Sequence, residues 1–404
     1  MPGSSLSHPH LSSAILFRAM TVAGVMSGTS ADGIDVTLVK IQPYRNRLKF
    51  KLLGHAAFPF IPALRRAVLS AMDAKSISTA ELARLNWRLG QAYAEAVRAT
   101  VARYRIRPQL IGCHGQTIYH QGLPEMYAGR KVACTLQIGE PALIAAELEV
   151  PVVSNFRPAD MVAGGQGAPL VPLLDYVQFA DAKRARVLQN IGGIGNLTLI
   201  PPASGMDKLL AFDTGPGNMV IDALTQLLFG KPYDRGGRIA SEGRVLEAVL
   251  THALKHPFFA AKPPKSAGRE EFGAAFAEKF LHSCRKAGGA NEDAITTATA
   301  LTAESITRSF AQFVQPKLKR DTAVDYIVSG GGAKNKTLMA MLESKLQPLG
   351  CHLMQTADAG IPVDAKEAVA FALLAYYTWY RHPANVPSAT GAKRPAILGH
   401  ITYV

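Results

Sequence analysis

The sequence predicts an α/β fold of two lobes with a cleft between them. The chain has 404 residues, which exceeds the roughly 250 to 300 residues at which a single hydrophobic core stops growing. Three segments, beginning near Gly24, Arg186 and Val324, each combine a strand with a glycine-rich turn and a second strand or a helix. Strands that alternate with helices favour mostly parallel central sheets.

The predicted lobes divide where the chain is rich in Pro and Gly, between residues 150 and 172, a composition typical of a crossing between packed units. Residues 1–20 mix Pro, Ser and His and read as a flexible leader. We assign residues 21–150 to an N-terminal lobe and residues 151–404 to a C-terminal lobe. The glycines of the crossing are candidate hinges for closure around ligands: Gly164, Gly165 and Gly167.

Composition narrows the class of protein. Hydrophobic residues make up 48% and charged residues 18% of the chain, and no apolar run is long enough for a transmembrane helix. The net charge of +14 is spread along the chain, which favours a solvated surface that attracts small anions and disfavours a nucleic-acid partner. Four cysteines far apart indicate reduced thiols in a cytoplasmic protein. We expect neither a nucleic-acid nor a membrane partner.

The three glycine turns suggest phosphate binding, because glycine lets backbone N–H groups approach an anion. None of them matches the P-loop or the dinucleotide fingerprint, which disfavours a dehydrogenase. Taken singly, each is equally consistent with a plain hairpin or a helix entry. Two of the turns also carry carboxylates, Asp32 or Asp35 and Asp213. Carboxylates beside phosphates need a hard cation between them, so the combination indicates a nucleotide with Mg²⁺.

Several blocks of sequence are similar to one known family. They include "GVMSGTSADGID", "GCHGQT", "GGQGAPLVP" followed by Asp175, "NIGGIGNLT", "FDTGPGNMVID", "YDRGGRIASEG", "PPKSAGREEF", "VSGGGAKN" and "DAKEAVAFALLAY". Over residues 22–401 the chain resembles the 1,6-anhydro-N-acetylmuramic acid kinases, members of the actin, hexokinase and Hsp70 superfamily of two-lobed ATPases. The visible departures are Gly195, where alanine is expected, and the leader.

The resemblance implies a two-lobed, ribonuclease H-like fold with the active site in the cleft. It implies transfer of the ATP γ-phosphoryl group to O6 of the anhydro sugar, hydrolytic opening of the 1,6-anhydro bridge, and a place in cytoplasmic recycling of cell-wall sugars. ATP and Mg²⁺ are the implied cofactors and a homodimer the implied assembly. By the family's motif Asp175 is the base that activates water. The residues alone leave Asp175 equally consistent with a helix cap.

The remaining site residues follow the motifs of the resemblance. Asp35 and Asp213 are expected to reach the metal through water. A polar loop after a buried strand and a residue on a helix that starts near Asp364 are expected at the sugar: His114, Gln116, Thr117 and Glu367. A structural histidine and a solvated glutamate are the alternatives. The residues expected at ATP are Gly28, Thr29, Ser30, Ala31, Asp32, Gly33, Ile34, Asp35, Gly192, Gly193, Asn196, Asp213, Gly215, Gly217, Asn218, Gly330, Gly331, Gly332 and Asn335.

Two other functions are compatible with the glycine turns. Another kinase of the superfamily, acting on a different sugar or on a carboxylate, would keep the phosphate loops but would not need Asp175 to activate water. A non-catalytic nucleotide-binding module would use ATP only to move its lobes. A phosphate-release assay with and without the anhydro sugar separates these possibilities.

Overall fold

A computed structural model describes residues 17–28, 31–44, 47–72, 74–355 and 361–404. Most of the predicted leader lies outside these ranges, as do Thr29 and Ser30 of the first glycine turn. Within the described part of the leader, Phe17 stacks on Tyr376, with ring centroids 5.3 Å apart. The first strand begins at Met20.

The strands and helices alternate along the chain as predicted. The strands are β1 (Met20–Met26), β2 (Gly33–Tyr44), β3 (Arg47–Pro59), β4 (Leu110–Cys113), β5 (Gln116–Tyr127), β6 (Arg130–Ile138), β7 (Val152–Ser154), β8 (Ala185–Ile191), β9 (Ile194–Ile200), β10 (Leu210–Pro216), β11 (Val324–Ser329), β12 (Cys351–Gln355) and β13 (His400–Thr402). The α-helices are α1 (Pro62–Met72), α2 (Thr79–Tyr104), α3 (Pro141–Leu148), α4 (Arg157–Val162), α5 (Pro172–Phe179), α6 (Met219–Phe229), α7 (Glu247–Ala253), α8 (Pro257–Ala260), α9 (Arg269–Phe272), α10 (Ala274–Lys286), α11 (Asn291–Ser309), α12 (Lys336–Leu346), α13 (Lys366–Trp379) and α14 (Pro387–Thr390).

Two sheets form the centres of the two lobes, and they share one strand order. The first runs β3-β2-β1-β4-β7 with β13 added at its edge, and the second runs β10-β9-β8-β11-β12. In each sheet the second strand pairs antiparallel with both neighbours, the fourth strand pairs parallel with the first, and the fifth pairs parallel with the fourth. This duplicated order confirms the two-lobed, ribonuclease H-like α/β fold. The expected mostly parallel sheets are in fact mixed, because each glycine turn closes an antiparallel hairpin.

The division between the sheets differs from the predicted boundary at residue 150. Strand β7 extends the first sheet, and β13, near the end of the chain, pairs with β7. Helix α13 packs on β1 and β4 through a buried face that includes Val369 and Leu373. The end of the chain therefore belongs to the first lobe, and residues 185–355 hold the second sheet.

The glycine cluster between α4 and α5 is a turn that hydrogen bonds hold in place. Asp160 accepts hydrogen bonds from the Gly167 amide at 2.8 Å, from Asn385 at 2.8 Å and from the Thr390 hydroxyl at 2.7 Å. The amide of Gln166 donates to the Thr390 carbonyl at 2.8 Å. These contacts tie the turn to the last part of the chain. They give no support to the predicted hinge at Gly164, Gly165 and Gly167.

The longest helix in the described residues is α2, with 26 residues. Its start was predicted from the sequence Ser78 to Glu81, and the Ser78 hydroxyl does accept a hydrogen bond from the Glu81 amide at 3.1 Å. Neither α2 nor any other helix in the described ranges has the length and apolar character needed to cross a bilayer.

Candidate active site

A cavity of about 810 Å³ lies between the two sheets. Helices α5 and α13 supply Asp175, Lys366 and Glu367 on the side of the first lobe. Strands of the second sheet and the segment before α9 supply Asp213 and Lys265 on the other side. The folding of the chain therefore brings together carboxylates and cations that lie almost 200 residues apart in sequence.

Asp175 lies in the first turn of α5, and its carboxylate is paired. The Oδ1 atom of Asp175 is 2.8 Å from Nζ of Lys366, and 7% of the Asp175 side chain is exposed. The residue at the helix cap is Val171, and no side chain caps this helix, so Asp175 is not the helix cap that the sequence alone allowed. The ion pair joins α5 to the start of α13.

Glu367 follows Lys366 and faces the same cavity. Desolvation by the surrounding protein raises the pKa of its carboxyl, Asp35 raises it further, and Arg157 and Lys366 oppose the shift. These influences show that the first glycine turn, through Asp35, adjoins the start of α13. Glu367 lines the cavity, and its expected contact with the sugar stays a prediction.

His114 lies behind the cavity wall. Its side chain is buried, its Nδ1 atom is 2.7 Å from the Gly115 carbonyl oxygen, and its Nε2 atom accepts from Nε and Nη2 of Arg157 at 3.1 and 2.9 Å. Burial, with Arg157 second, lowers the pKa of His114 to about 3. The imidazole is therefore neutral, donates from Nδ1, and holds Arg157 in place.

The two other predicted sugar residues belong to strand β5. The Gln116 amide nitrogen donates to the Gly28 carbonyl at 3.1 Å, and Gln116 is fully buried. Thr117 is partly buried, and its hydroxyl accepts from Gln137 at 3.3 Å. Gln116 thus supports the first glycine turn, and of the two only Thr117 keeps some exposure.

In the described part of the first glycine turn, the two aspartates already have partners. Asp35 is 2.8 Å from Nε2 of His55, and the exposed Asp32 is 3.3 Å from Nη2 of Arg65. Ala31 has a φ of 51°, which closes the turn onto the Gly28 carbonyl. The remaining predicted residues, Gly33 and Ile34, begin strand β2.

Asp213 carries the most perturbed carboxyl of the second wall. Its Oδ2 atom accepts from the Ala267 amide at 2.8 Å, and its own amide donates to the Lys265 carbonyl at 3.0 Å. Burial raises the pKa of Asp213 to about 6, and Glu271 adds to the shift while Ala267 and Lys265 oppose it. Such a carboxylate is ionised at pH 7 yet is a stronger base than an ordinary aspartate.

Lys265 is a buried cation beside Asp213. Its ammonium donates to the Phe258 carbonyl at 3.1 Å and lies 4.5 Å from the centre of the Phe258 ring and 4.9 Å from that of Phe313. Burial lowers its pKa to about 8, and Asp213 opposes the shift. The ammonium fixes the segment whose Ala267 amide holds the Asp213 carboxylate.

The second glycine turn and the turn before α6 are joined through their backbones. The amides of Gly217 and Asn218 donate to the carbonyls of Gly193 and Gly192 at 2.9 and 2.8 Å. A Cβ atom on Gly217 would come within 2.2 Å of the Gly192 oxygen, so only glycine fits there. Gly215 lies within β10. Because the amides of Gly217 and Asn218 are engaged, a phosphate group cannot take both of them without rearrangement.

The third glycine turn reaches the same point from β11. A Cβ atom built on Gly330 or Gly332 would clash with Ile191, at the end of β8. A Cβ atom on Gly331 would meet nothing closer than the side-chain Nδ2 atom of Asn218, at 3.5 Å. Asn335 caps α12, accepting from the Leu338 amide at 3.0 Å. The second and third glycine turns and the turn before α6 therefore converge at the end of β8, and Asn196 lines the adjoining cavity.

No group of three or more His, Cys, Asp or Glu side chains suited to a metal ion occurs within the described ranges. Mg²⁺ in kinases is held by one or two carboxylates together with substrate phosphates and water. The cavity offers such carboxylates, in Asp213 and Glu367, so the residues fit a metal that arrives with a nucleotide.

Sequence reasoning missed three cations of the site: Arg157, Lys265 and Lys366. Each lies inside a block that carried the resemblance, "NFRPAD", "PPKSAG" and "DAKEAV". Cations next to Gly- and Pro-rich blocks in a chain that binds anions were the available signal. Whether they faced the cavity or the solvent depended on packing between distant segments.

Comparisons with known proteins identify the family of the chain. The family described as anhydro-N-acetylmuramic acid kinase matches residues 20–404. A kinase of that name from Bacillus cereus strain AH187 is 45% identical over 95% of this chain and 99% of its own. Its counterpart in Bacillus anthracis strain A0248 is 44% identical over the same shares. A solved ROK family glucokinase from Streptomyces griseus is 12% identical, covers 88% of this chain and 99% of its own, and has a TM-score of 0.36, too low to carry an argument. The chain belongs to the anhydro-N-acetylmuramic acid kinase family.

Proposed function

We propose that this kinase opens the 1,6-anhydro bridge of anhydro-N-acetylmuramic acid with water and transfers the γ-phosphoryl group of ATP to O6. The products are N-acetylmuramic acid 6-phosphate and ADP, and the reaction serves cell-wall recycling. Family membership supports the substrate. The observation that carries the reaction type is a cavity lined by the buried Asp213 carboxylate on one wall and by Asp175, Lys366 and Glu367 on the other.

In this reaction the water oxygen bonds to the anomeric carbon while the bond from that carbon to O6 breaks. O6 then bonds to the γ-phosphorus while the bond from that phosphorus to the β,γ-bridging oxygen of ATP breaks, so that this oxygen leaves with ADP. The attacking water gives one proton to a base. Mg²⁺ bound with ATP would neutralise the charge on the transferring phosphoryl group. The protein must supply the base, orient the sugar and exclude other water.

Two carboxylates compete for the role of base. Asp175 was predicted from the sequence, and its carboxylate is engaged by the Lys366 ammonium at 2.8 Å. Asp213 has no carboxylate-to-cation contact within 4 Å among the described residues, and burial makes it more basic. We therefore favour Asp213 as the base and assign Asp175 to holding Lys366 and α13. A base role for Asp213 would replace its predicted role at the metal.

The nucleotide is proposed to lie along the three converging turns, with Mg²⁺ near the carboxylates of the cleft. Because the Gly217 and Asn218 amides are engaged, the amides of Gly192 and Gly193 are the better candidates for phosphate contacts. The adenosine would adjoin Gly331, where added bulk meets no backbone. A homodimer and a cytoplasmic location remain proposals from the family resemblance.

The test is incubation of the purified chain with ATP, Mg²⁺ and a panel of sugars, with products identified by mass spectrometry. We expect the anhydro sugar to gain the mass of a phosphoryl group and of one water. A product with the phosphoryl group alone would exclude hydrolytic opening. Phosphorylation of glucose or of a carboxylate in preference would favour the other kinases of the superfamily.

A further inference from the structure

The guanidinium of Arg157 lies next to residues that line the cavity, and it has no carboxylate within hydrogen-bonding distance among the described residues. No Asp or Glu oxygen of the described residues lies within 4 Å of Arg157, whereas Lys366 pairs with Asp175. The Nη1 atom of Arg157 donates to the Gly167 carbonyl at 2.8 Å, and Gly167 lies between two residues that line the cavity, Gln166 and Ala168. Arg157 also acts electrostatically on Glu367, another lining residue.

The hydrogen bonds of Arg157 do not use all the N–H donors of its guanidinium. A guanidinium has five N–H groups. Nε and Nη2 each direct one N–H at Nε2 of His114, and Nη1 directs one at the Gly167 carbonyl. Two N–H groups, one on Nη1 and one on Nη2, have no hydrogen-bond partner among the described residues. A pair of this kind matches the two oxygens of a carboxylate.

The surroundings fix the fork in place. His114 is buried and neutral, so it accepts from Arg157 without adding a second positive charge. Gly167, the other partner, is held by Asp160 through its amide. Glu367 favours the charged form of Arg157 electrostatically but makes no ion pair with it, so an anion bound directly to this partly buried, oriented cation would lower the cost of its burial.

Other cations of the cavity are less suitable for an anionic ligand of the sugar. Lys366 is neutralised by Asp175 at 2.8 Å. Lys265 belongs to the second wall and donates to the Phe258 and Phe259 carbonyls at 3.1 and 3.5 Å. Arg157 lies on the wall that carries the predicted sugar loop, directly against His114.

We propose that Arg157 binds the carboxylate of the sugar's 3-O-lactyl group and selects muramic acid derivatives over neutral anhydro sugars. This inference rests on the proposed function, since it assumes that an anhydro sugar occupies the cavity. Arg157 would provide two parallel hydrogen bonds to the carboxylate, with His114 as a positioning residue behind it. Neutral anhydro-N-acetylglucosamine has no group to complete this pair.

The test compares wild type and Arg157→Gln on two substrates, anhydro-N-acetylmuramic acid and its lactyl methyl ester. We expect wild type to prefer the acid, and Arg157→Gln to raise KM for the acid on the order of 10- to 100-fold. KM for the ester and for ATP should stay near the wild-type values. Arg98→Gln is the matched control, because Arg98 is an exposed arginine whose partner is Glu147.

Each possible result either supports or contradicts the proposed role of Arg157. Equal use of acid and ester by wild type would overturn the proposal without any variant, and so would an equal loss on both substrates in Arg157→Gln. Arg157→Lys, which keeps the charge but loses the fork, should recover only part of the affinity for the acid; a full loss on the ester as well would overturn a carboxylate role. Failure of wild type to phosphorylate any anhydro sugar would instead refute the proposed function.

Discussion

The two walls of the cavity hold their charged groups in opposite ways. On the first wall Asp175 pairs with Lys366 and Arg157 is held by His114, while the Glu367 carboxyl, unpaired within the part of the chain that the structure describes, has a pKa raised by desolvation. On the second wall Asp213 accepts a backbone amide and has no cation within 4 Å among the described residues, so burial leaves it with a raised pKa of about 6. The comparison suggests that the first wall recognises and positions, whereas the second wall supplies the base.

The largest effect should come from Asp213→Asn. This change removes the proton acceptor while it keeps the size of the side chain, and we expect kcat to fall by a factor on the order of 10² to 10⁴. Nucleotide binding, measured by calorimetric titration, should persist. Near-normal turnover would remove Asp213 from the mechanism.

Asp175→Asn is the matched change on the first wall. It leaves Lys366 without its partner, so we expect a loss of about tenfold or less in kcat/KM, together with a lower Tm. Steady-state kinetics of both variants at the same pH provide the comparison. A reversed order, with the greater loss in Asp175→Asn, would restore Asp175 as the base and assign a supporting role to Asp213.

Asp160→Asn tests whether the hydrogen bonds of Asp160 hold the glycine turn of the first wall in place. The change replaces one acceptor oxygen by a donor at a point where three donors converge, so we expect a loss of about 2 kcal/mol in the free energy of unfolding. Denaturant unfolding measures it, and Asp207→Asn is an exposed control. Unchanged stability would mean that the turn is free to act as the predicted hinge.

His114→Gln should change how stability depends on pH. The unfolded chain binds a proton at His114 below about pH 6.5, whereas the folded chain does so only near pH 3. Wild type therefore loses stability at this site as the pH falls, by about 2 kcal/mol between pH 7 and pH 5. The variant has no such group, so the difference between the two proteins should shrink or reverse towards pH 5. Parallel curves in denaturant titrations at both pH values would contradict a buried neutral imidazole.

The smallest effect is expected at Gly331. Because a Cβ atom there meets no close neighbour, Gly331→Ala should leave Tm unchanged and weaken ATP binding by a few fold, at most about 1 kcal/mol. Gly217→Ala, which would clash with the Gly192 oxygen, should lower Tm. If Gly331→Ala left ATP affinity at the wild-type value, the adenosine would have to lie elsewhere.

The sequence by itself determined the repeated strand and turn units, the helix cap at Ser78, and the motifs that identify the family. These features depend on neighbours along the chain, where glycine, capping residues and periodic apolar positions act over a few residues. For that reason the two-lobed α/β fold and the class of reaction could be predicted before the packing was known.

Only the tertiary structure decided what each polar group touches. The pairing of Asp175 with Lys366, the burial of His114 behind Arg157 and the fastening of Gly167 by Asp160 all join segments far apart in the chain. The packing of α13 on the first sheet could not be predicted from the sequence, because it also joins segments far apart in the chain. The pKa of a carboxylate, and whether a cation is left without an ion-pair partner, depend on desolvation and on neighbours in space. The local sequence does not determine either of these.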